Sequence, residues 1–283
     1  MKQFVRLISV CSVASLGIVA VPSVASAETA ESADVGTTSS AMHAHKAFKE
    51  ALAELDLRPE QKEAIDELRD EGKERRAPVK KARRELMLAV ADQVEEGKID
   101  RCEVEPQIKK VASAVAEARP GDRAAFEKLH EILDPEQRAQ FVESLQRRME
   151  ARKGKAEPRA LVEKMDRELD LTDEQKQQVA QILSGLRQIY EAEPAHAEHH
   201  ERWARILEAF KSDHFDLDKV APMKDVAEKV TKRIEGHLWA AEAVLPVLTE
   251  QQRARLAEKL RDKAKGHSGT KHGASTGMDD DED

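Results

Sequence analysis

The stretch Leu55–Lys62 reads LDLRPEQK, and it returns as LDLTDEQK at Leu169–Lys176. A second stretch, LDPEQR at Leu133–Arg138, returns as LTEQQR at Leu248–Arg253. The two offsets are 114 and 115 positions. Sequence pairs that keep their order and spacing over such a distance indicate an internal repeat.

A third landmark supports the same repeat. Ile99-Asp100 followed by Pro106 returns as Phe215-Asp216 followed by Pro222, at an offset of 116 positions. One match of this kind would carry little weight in a chain rich in charged residues and alanine. Three collinear matches predict that the chain was duplicated into two helical units.

The repeated stretches have the residues of a helix N-terminus. Thr172 can accept from the backbone N–H of Gln175, and the Gln175 side chain can reach back to the Thr172 N–H, as in a capping box. Thr249–Gln252 repeats this pattern. Asp134 is the equivalent cap before Pro135, whereas Arg58 before Pro59 is a poor one. The leucines that precede these caps are predicted to be buried, and taken alone the motif need only specify four helix starts.

Composition favours an all-α protein. Charged residues make up 36% of the chain and aromatic residues only 3%, which is typical of long solvated helices. Apolar residues recur at helical spacing in two windows, as Ile65 and Leu68 and as Val179, Ile182, Leu183 and Leu186. Because each half has few aromatic residues, we expect the halves to pair and bury the apolar stripes that each leaves over.

The first 27 residues have the pattern of a secretory signal peptide. Lys2 and Arg6 precede an apolar run from Leu7 to Val21, and Ala25-Ser26-Ala27 offers a cleavage site. The run is too short for a membrane span, and Cys11 lies in the wrong context for lipid attachment. We therefore expect an exported protein that does not span the membrane after processing.

Five segments are predicted. The signal peptide (1–27) precedes a disordered Ser- and Thr-rich lead (28–45), two helical units (46–152 and 158–264), and a disordered acidic tail that contains histidine (265–283). Removal of the signal leaves 45 basic against 55 acidic residues, which argues against nucleic acid as a partner. Cys102 is then the remaining cysteine. We expect it to be partly buried, or to cross-link two chains as a free thiol.

The paired Leu-Thr-x-x-Gln stretches of an exported helical unit resemble the Spy/CpxP family, the periplasmic LTxxQ-motif proteins. The matching positions are Leu57, Gln61, Leu133, Gln137, Leu171, Thr172, Gln175, Leu248, Thr249 and Gln252. Arg58 and Asp134 replace the threonine in the first half. The resemblance implies two tandem four-helix units, which form within one chain the cradle that other members build as dimers: an intramolecular pseudo-dimer.

The same resemblance implies two functions. One is a periplasmic ATP-independent chaperone of unfolded or misfolded envelope proteins, or an envelope-stress adaptor that acts on a membrane stress sensor, with no cofactor required. The other is a metal-binding or metal-sensing protein of the metal-resistance branch of the family.

A basic stretch, Lys73–Arg84, is a candidate client-binding surface. Its cations are Lys73, Arg75, Arg76, Lys80, Lys81, Arg83 and Arg84, against Glu74 as the one acid. Such a run is either a solvated helix face or a surface that attracts acidic unfolded chains. The apolar residues that follow, Leu86, Met87, Leu88 and Val90, could form an adaptable patch or belong to the core.

The counterpart of the basic stretch, Glu191–Glu201, is acidic and rich in histidine. Helical spacing would bring His196, His200 and Glu193 to one face, with His199 adjacent, and these groups could bind zinc, copper or nickel. Pro194 can disturb that helix, and surface histidines are often incidental. Weaker binding is conceivable at histidines of the lead and tail, namely His43, His45, His267 and His272 with Asp279–Asp283.

Signatures of the common enzyme classes are missing from the sequence. It has no glycine-rich phosphate loop, no nucleophile elbow and no His-Glu-x-x-His motif. The many carboxylates lie among lysine and arginine residues, where ion pairing explains them. We therefore predict a protein that is not an enzyme.

Overall fold

The computed structural model describes residues 38–151, 158–192 and 194–266, and these ranges contain helices and no strand. The all-α prediction is therefore confirmed. In chain order the helices are α1 (Thr38–Ala53), α2 (Pro59–Glu96), α3 (Arg101–Ile132), α4 (Pro135–Glu150), α5 (Pro158–Leu169), α6 (Asp173–Ala192), α7 (Pro194–Phe210), α8 (Leu217–Val220), α9 (Val226–Val244) and α10 (Glu250–Lys265), with a 3-10 turn at Leu245–Val247.

The helix starts that the repeated stretches predict are all found. Pro59 and Pro135 occupy the first positions of α2 and α4, while α6 and α10 begin one residue after Thr172 and Thr249. The expected boundary of the lead is wrong in its last part, because α1 begins at Thr38 rather than at residue 46. Helix α1 is held in place by its buried face, which carries Phe48, Ala51 and Leu52.

Several predicted segments lie outside the described residues. They are the signal peptide (1–27), the lead as far as residue 37, the end of the first unit with the residues that join it to the second (152–157), and the tail from residue 267.

Equivalent regions of the two halves differ in continuity. Helix α2 runs unbroken through 38 residues, whereas the equivalent region, 173–210, is divided into α6 and α7. Helix α3 continues through Pro106 and Pro120, but its counterpart is divided into α8, α9 and the 3-10 turn, with Pro222 between α8 and α9. Proline has no backbone N–H, so Pro106 and Pro120 each remove one internal hydrogen bond from α3, a loss that the packing of this long helix must outweigh.

Aromatic side chains from both halves form the largest core. Phe126 of α3 stacks on Phe210 of α7, with ring centroids 4.8 Å apart, and packs edge-on against Phe215 at 5.5 Å. Phe141 of α4 lies 5.0 Å from Phe48 of α1 and 5.5 Å from Phe210. Every phenylalanine after residue 27 belongs to this cluster, so these rings are concentrated where the halves meet.

Aliphatic clusters complete the contact between the halves. Ala91 and Val94 of α2 pack against Leu245 and against Ala257 of α10. Farther along, Val104 and Ile108 of α3 pack against Leu238 of α9, together with Leu86 and Val90. Leu86 and Val90 therefore contribute to the core, whereas the sequence left open whether they belong to the core or to an adaptable surface patch.

Ion pairs also join the halves. Arg261 of α10 donates to Asp92 and Glu95 of α2 at 2.7 and 2.5 Å, and Arg101 of α3 donates to Glu242 of α9 at 2.7 and 2.6 Å. These groups are largely exposed, so they orient the helices more than they stabilise them.

Two further observations concern surface properties. Cys102 has an exposed side chain, which corrects the expectation of partial burial: it is the second residue of α3 and points away from the buried Val104 side.

Among the helices of the described ranges, none is long and apolar enough to cross a membrane.

Candidate functional site

The glutamines of the repeated motif bind one another in pairs. In the second half, Gln175 Nε2 donates to Gln252 Oε1 at 2.7 Å and to the Val247 carbonyl at 2.8 Å. Gln252 Nε2 donates in return to Gln175 Oε1 at 3.0 Å and to the Asp170 carbonyl at 3.2 Å. Each glutamine therefore also donates to the backbone carbonyl of the residue that precedes the other motif's leucine, Leu248 or Leu171. We call this arrangement the second clasp.

The first half contains the same arrangement, which we call the first clasp. Gln61 Nε2 donates to Gln137 Oε1 and to the Ile132 carbonyl, both at 2.7 Å. Gln137 Nε2 donates to Gln61 Oε1 at 3.1 Å and to the Asp56 carbonyl at 2.9 Å. Atom for atom, the four bonds repeat those of the second clasp.

The clasps explain why the motif requires glutamine. Each Oε1 also accepts from the backbone N–H of the N-cap residue three positions earlier, at 3.0 Å in Gln61 and 2.9 Å in Gln252. Only a side-chain amide offers both an acceptor for its own helix start and a donor for a neighbouring chain segment. A glutamate would keep the capping bond and lose the donor. The motif therefore joins two helix starts, beyond specifying each one.

The N-cap residues differ between the clasps. In the second clasp, Thr172 and Thr249 accept from the backbone N–H of Gln175 and Gln252 at 3.2 and 3.3 Å, so the predicted capping boxes are confirmed. In the first clasp, Asp134 keeps the predicted capping-box arrangement with Gln137, but its carboxylate makes no well-formed hydrogen bond to the helix start. Its carboxylate accepts from Arg58 Nη1 at 2.5 Å instead.

The ion pair between Arg58 and Asp134 shifts the pKa of both residues. The hydrogen bond from Arg58 holds the pKa of Asp134 below its usual value, and the same bond raises the pKa of Arg58. The two residues that replace threonine in the first half are thus bound to each other, across the interface between the two motifs.

The motif leucines are packed as predicted, with one partial exception. Leu133, Leu171 and Leu248 are no more than 5% exposed, whereas Leu57 is half-buried against the aromatic core. Each clasp therefore lies beside a hydrophobic cluster, which contains Leu133 in the first half and Leu171 and Leu248 in the second.

The basic stretch of α2 divides into two groups. Arg75 and Arg76 donate to the buried carboxylate of Asp122 on α3, at 3.1 Å from each Nε and at 2.5 Å from Arg76 Nη2. Gly121 leaves room for this contact, because a Cβ there would lie 2.4 Å from Arg75 Cδ. Lys73 pairs with Asp70 at 2.8 Å. These three cations therefore have structural partners.

The remaining cations of the stretch face solvent. Lys80, Lys81, Arg83 and Arg84 are exposed and make no ion pair with the described residues. Desolvation by the surrounding protein, together with the nearby cations Arg76 and Arg233, lowers the pKa of Arg83. We call these four residues the α2 basic surface.

The histidine constellation is only partly described. Glu193 lies outside the described residues, and for His196, His199 and His200 the structure gives the helix α7 but no side chains. The side chains of His43 and His45, and the whole segment with His267, His272 and Asp279–Asp283, also lie outside the description. Among the described residues, no three potential ligands come close enough to hold a metal ion.

Two features of the site escaped the sequence analysis. The pairing of Arg58 with Asp134 could have been suspected, because residues of opposite charge replace threonine at equivalent positions. The role of Asp122 as the partner of Arg75 and Arg76 had no such signal, since it depends on how α2 and α3 pack.

The first half also has a match among known families. The family model described as "LTXXQ motif family protein" matches residues 43–145, from α1 into α4, and this range contains the first clasp. No curated protein and no solved structure matches the chain significantly.

Proposed function

We propose that this protein is an exported chaperone. The premise is that residues 43–145 match the LTXXQ motif family, the family of Spy/CpxP-like periplasmic proteins. The proposed chaperone acts without ATP, in the periplasm, by binding unfolded or misfolded envelope proteins. As a stress adaptor it would report their presence to a membrane stress sensor.

The proposed architecture is an intramolecular pseudo-dimer of two tandem units. Its support is the atom-for-atom repetition of the clasp at offsets of 114 and 115 positions, and the packing of α2 on α10 and of α3 on α9. One chain would then hold the two units at fixed stoichiometry, with no dilution-dependent dissociation.

The observation that carries the proposed function is the α2 basic surface. Its four cations have no ion pairs among the described residues, although the protein is acidic overall with a formal net charge of −8. A local positive surface on an acidic protein attracts acidic segments and speeds encounter, and salt screens the attraction within roughly 8–10 Å. Apolar contacts would follow from large side chains that remain exposed, such as Ile189 and Trp239.

The test is a kinetic measurement of client capture. We expect the protein to suppress aggregation of an unfolded acidic client without nucleotide. Replacing Lys80, Lys81, Arg83 and Arg84 by glutamate should slow capture by roughly tenfold or more at low salt, because electrostatic steering acts mainly on the association rate. The difference should shrink as the salt concentration rises.

A control variant carries the same change in net charge elsewhere. Lys62, Lys98, Arg255 and Lys259 are also exposed and make no ion pair with the described residues. Their replacement by glutamate should leave capture near the wild-type rate. Equal slowing by both variants would mean that net charge, and not the α2 basic surface, governs capture. Undiminished aggregation at several-fold molar excess of the wild type would overturn the chaperone proposal.

A metal-binding function is the second candidate, and one observation favours it. Helix α7 begins at Pro194, so this proline occupies the first helical position and does not interrupt the helix. His196 and His200 are therefore one turn apart, the spacing that two imidazole ligands need. Elemental analysis and titration with zinc, copper and nickel test this candidate. Replacement of both histidines by alanine should weaken binding by well over tenfold, and unchanged affinity would remove these residues from any site.

A further inference from the structure

A cavity with a strongly cationic lining lies between the two halves. Its walls come from α3, α7, α8 and the start of α9, and its apolar floor includes the buried side chains of Ile206 and Leu217. The cationic lining residues are Arg119, Arg123, Arg202, Lys224 and Lys229. None of the described residues that line the cavity is acidic, and the space measures about 420 Å³ with its open mouth included.

Arg119 is the central observation. Its side chain is only 6% exposed, and it makes no hydrogen bond or ion pair with any described residue. Asp122 is close enough to favour its charge, but that carboxylate already binds Arg75 and Arg76. Burial lowers the pKa of Arg119 to about 10, so the group is still charged at neutral pH. A guanidinium with five donors is rarely buried without an acceptor.

The other cations are only partly neutralised. Arg123 donates to Asp218 at 2.6 Å, but that carboxylate is 79% exposed. Lys229 is 9% exposed, donates to the Lys224 carbonyl at 2.6 Å and has its pKa lowered by burial. Arg202 makes no ion pair with the described residues.

The nearby acids do not balance this charge. Besides Asp122 and Asp218, these acids include Asp225 and Glu228, which both favour the charged form of Lys229. Glu228 is already paired with Lys232 at 2.7 Å.

The start of α9 adds a second, independent feature. Val226, its first residue, lines the cavity. The preceding residue, Asp225, has φ 52°, in the left-handed region that non-glycine residues seldom adopt, and it supplies no side-chain cap. The first N–H groups of α9 therefore lack the partner that an N-cap side chain normally gives. Free N–H groups at a helix N-terminus favour an anion.

We propose that this cavity binds a small tetrahedral oxyanion of the phosphate class, with Arg119 as its main ligand. Arg123, Arg202 and Lys229 would surround it, and the start of α9 would complete the site. A phosphate offers several oxygen acceptors and up to two negative charges, which matches guanidinium donors that come from two helices better than a single carboxylate does. Because the ligands come from both halves, binding would tie the halves together.

The experiment is a titration of the full mature chain with inorganic phosphate at constant ionic strength, followed by calorimetry and by the thermal midpoint. We expect saturable binding and a midpoint that rises with phosphate, since a ligand of the folded state stabilises it. Arg119→Gln should weaken binding by about tenfold or more, as expected for a charge-assisted bond. It should not lower the midpoint in chloride, because it removes a buried charge that has no partner there.

Two further variants keep the result interpretable. Arg202→Gln changes a half-buried residue and should weaken phosphate binding even if Arg119→Gln fails to fold. Arg255→Gln changes an exposed cation of α10 and should leave binding unchanged. A wild type without saturable phosphate binding up to about 10 mM, the range of a weak site, would overturn the proposal. Equal affinity in wild type and both cavity variants would do the same.

The source of the phosphate group is settled by two more titrations. Vesicles that carry phosphate headgroups test whether the site binds the phosphate of a lipid or only the free phosphate ion. Co-sedimentation that inorganic phosphate displaces would support the site with a lipid as its source, and no co-sedimentation would support it with the free ion. Acetate at the same ionic strength tests the geometry: binding as tight as that of phosphate would overturn the choice of a tetrahedral oxyanion.

Discussion

The first and second clasps have the same four glutamine bonds and different N-cap residues. Two threonines cap the helices of the second clasp from within each motif, whereas Arg58 and Asp134 of the first clasp pair across the two motifs. The surroundings differ too, since the first clasp lies over an aromatic core and the second over an aliphatic one. The comparison separates the essential part of the motif, the reciprocal amide pair, from the replaceable part, the cap.

The largest expected effect concerns the cores beneath the clasps. Phe210→Ala should destabilise the protein by about 3–5 kcal/mol, the usual cost of removing a buried phenylalanine. Although Phe210 follows the second motif in sequence, its ring packs on Phe126 and Phe141 of the first half. Hydrogen exchange should therefore accelerate in α1 and α4, as well as in α7.

The matched change in the other core is Leu169→Ala. This side chain is 1% exposed and lies in the aliphatic cluster of the second half. The substitution should lower the free energy of unfolding by roughly 2–5 kcal/mol and accelerate hydrogen exchange mainly in α5 and α6. If Phe210→Ala leaves exchange in α1 and α4 unchanged, the halves do not share a core in solution.

The next effect is the loss of a clasp donor. Gln175→Glu should cost roughly 2–4 kcal/mol, since it removes the donor to the Val247 carbonyl, leaves Gln252 Oε1 with the Thr249 N–H as its donor, and adds a buried charge. Gln61→Glu should cost less, because the Arg58 guanidinium is close to the first clasp. Urea unfolding measures both losses, which should shrink below about pH 5 as the glutamate protonates.

Gln177→Glu is the control for this change. The residue is exposed on α6, two positions from Gln175, so the same substitution there should alter stability by less than about 0.5 kcal/mol. Equal losses for Gln61→Glu and Gln175→Glu would show that the ion pair gives the first clasp no protection.

The third effect concerns the caps. Thr172→Ala and Thr249→Ala should each cost about 1 kcal/mol, the usual value of an N-cap. The single change Arg58→Thr should be unfavourable, because it leaves Asp134 without its partner. The double change Arg58→Thr with Asp134→Thr should recover that loss by converting the first clasp into the second type. Midpoints of urea unfolding for the wild type, Arg58→Thr, Asp134→Thr and the double variant form a double-mutant cycle. A double variant no more stable than Arg58→Thr alone would contradict the equivalence of the two caps.

The sequence was sufficient to predict the fold class and the local chemistry of the helix starts. Capping residues act within three or four positions, so Thr172 with Gln175 and Thr249 with Gln252 could be assigned without a structure. The amphipathic windows around Ile65 and Val179 were equally local, and both residues are buried. Signals of this kind depend on spacing along one helix.

The contacts between helices were less predictable. Reciprocal binding of Gln61 and Gln137 joins residues 76 positions apart, and nothing in either motif specifies the partner. The sequence predicts one basic surface, whereas Arg75 and Arg76 are bound to Asp122. The packing of α2 on α3 decides which cations contact a carboxylate. The same reason hides the cavity around Arg119, whose lining comes from helices of both halves.

The smallest expected effect is a difference in acid sensitivity between the clasps. The hydrogen bond from Arg58 lowers the pKa of Asp134 in the folded protein. A carboxyl group with a lowered folded pKa stabilises the folded state above its unfolded pKa of about 4, and this contribution is lost as the pH falls through the folded value. The second clasp contains glutamine and threonine side chains and has no such group.

The wild type should therefore lose slightly more stability below about pH 4 than the variant with threonine at positions 58 and 134. Buried histidines complicate the absolute curves: burial lowers the pKa of His130, and it lowers that of His237 to about 4. For such a group the folded state loses stability as the pH falls below about 6.5, the unfolded pKa. Both proteins contain these histidines, so their contribution cancels in the difference. Urea unfolding of the two proteins from neutral pH to about pH 3 measures that difference, and curves that stay parallel throughout would show that the Arg58–Asp134 pair contributes nothing to the first clasp.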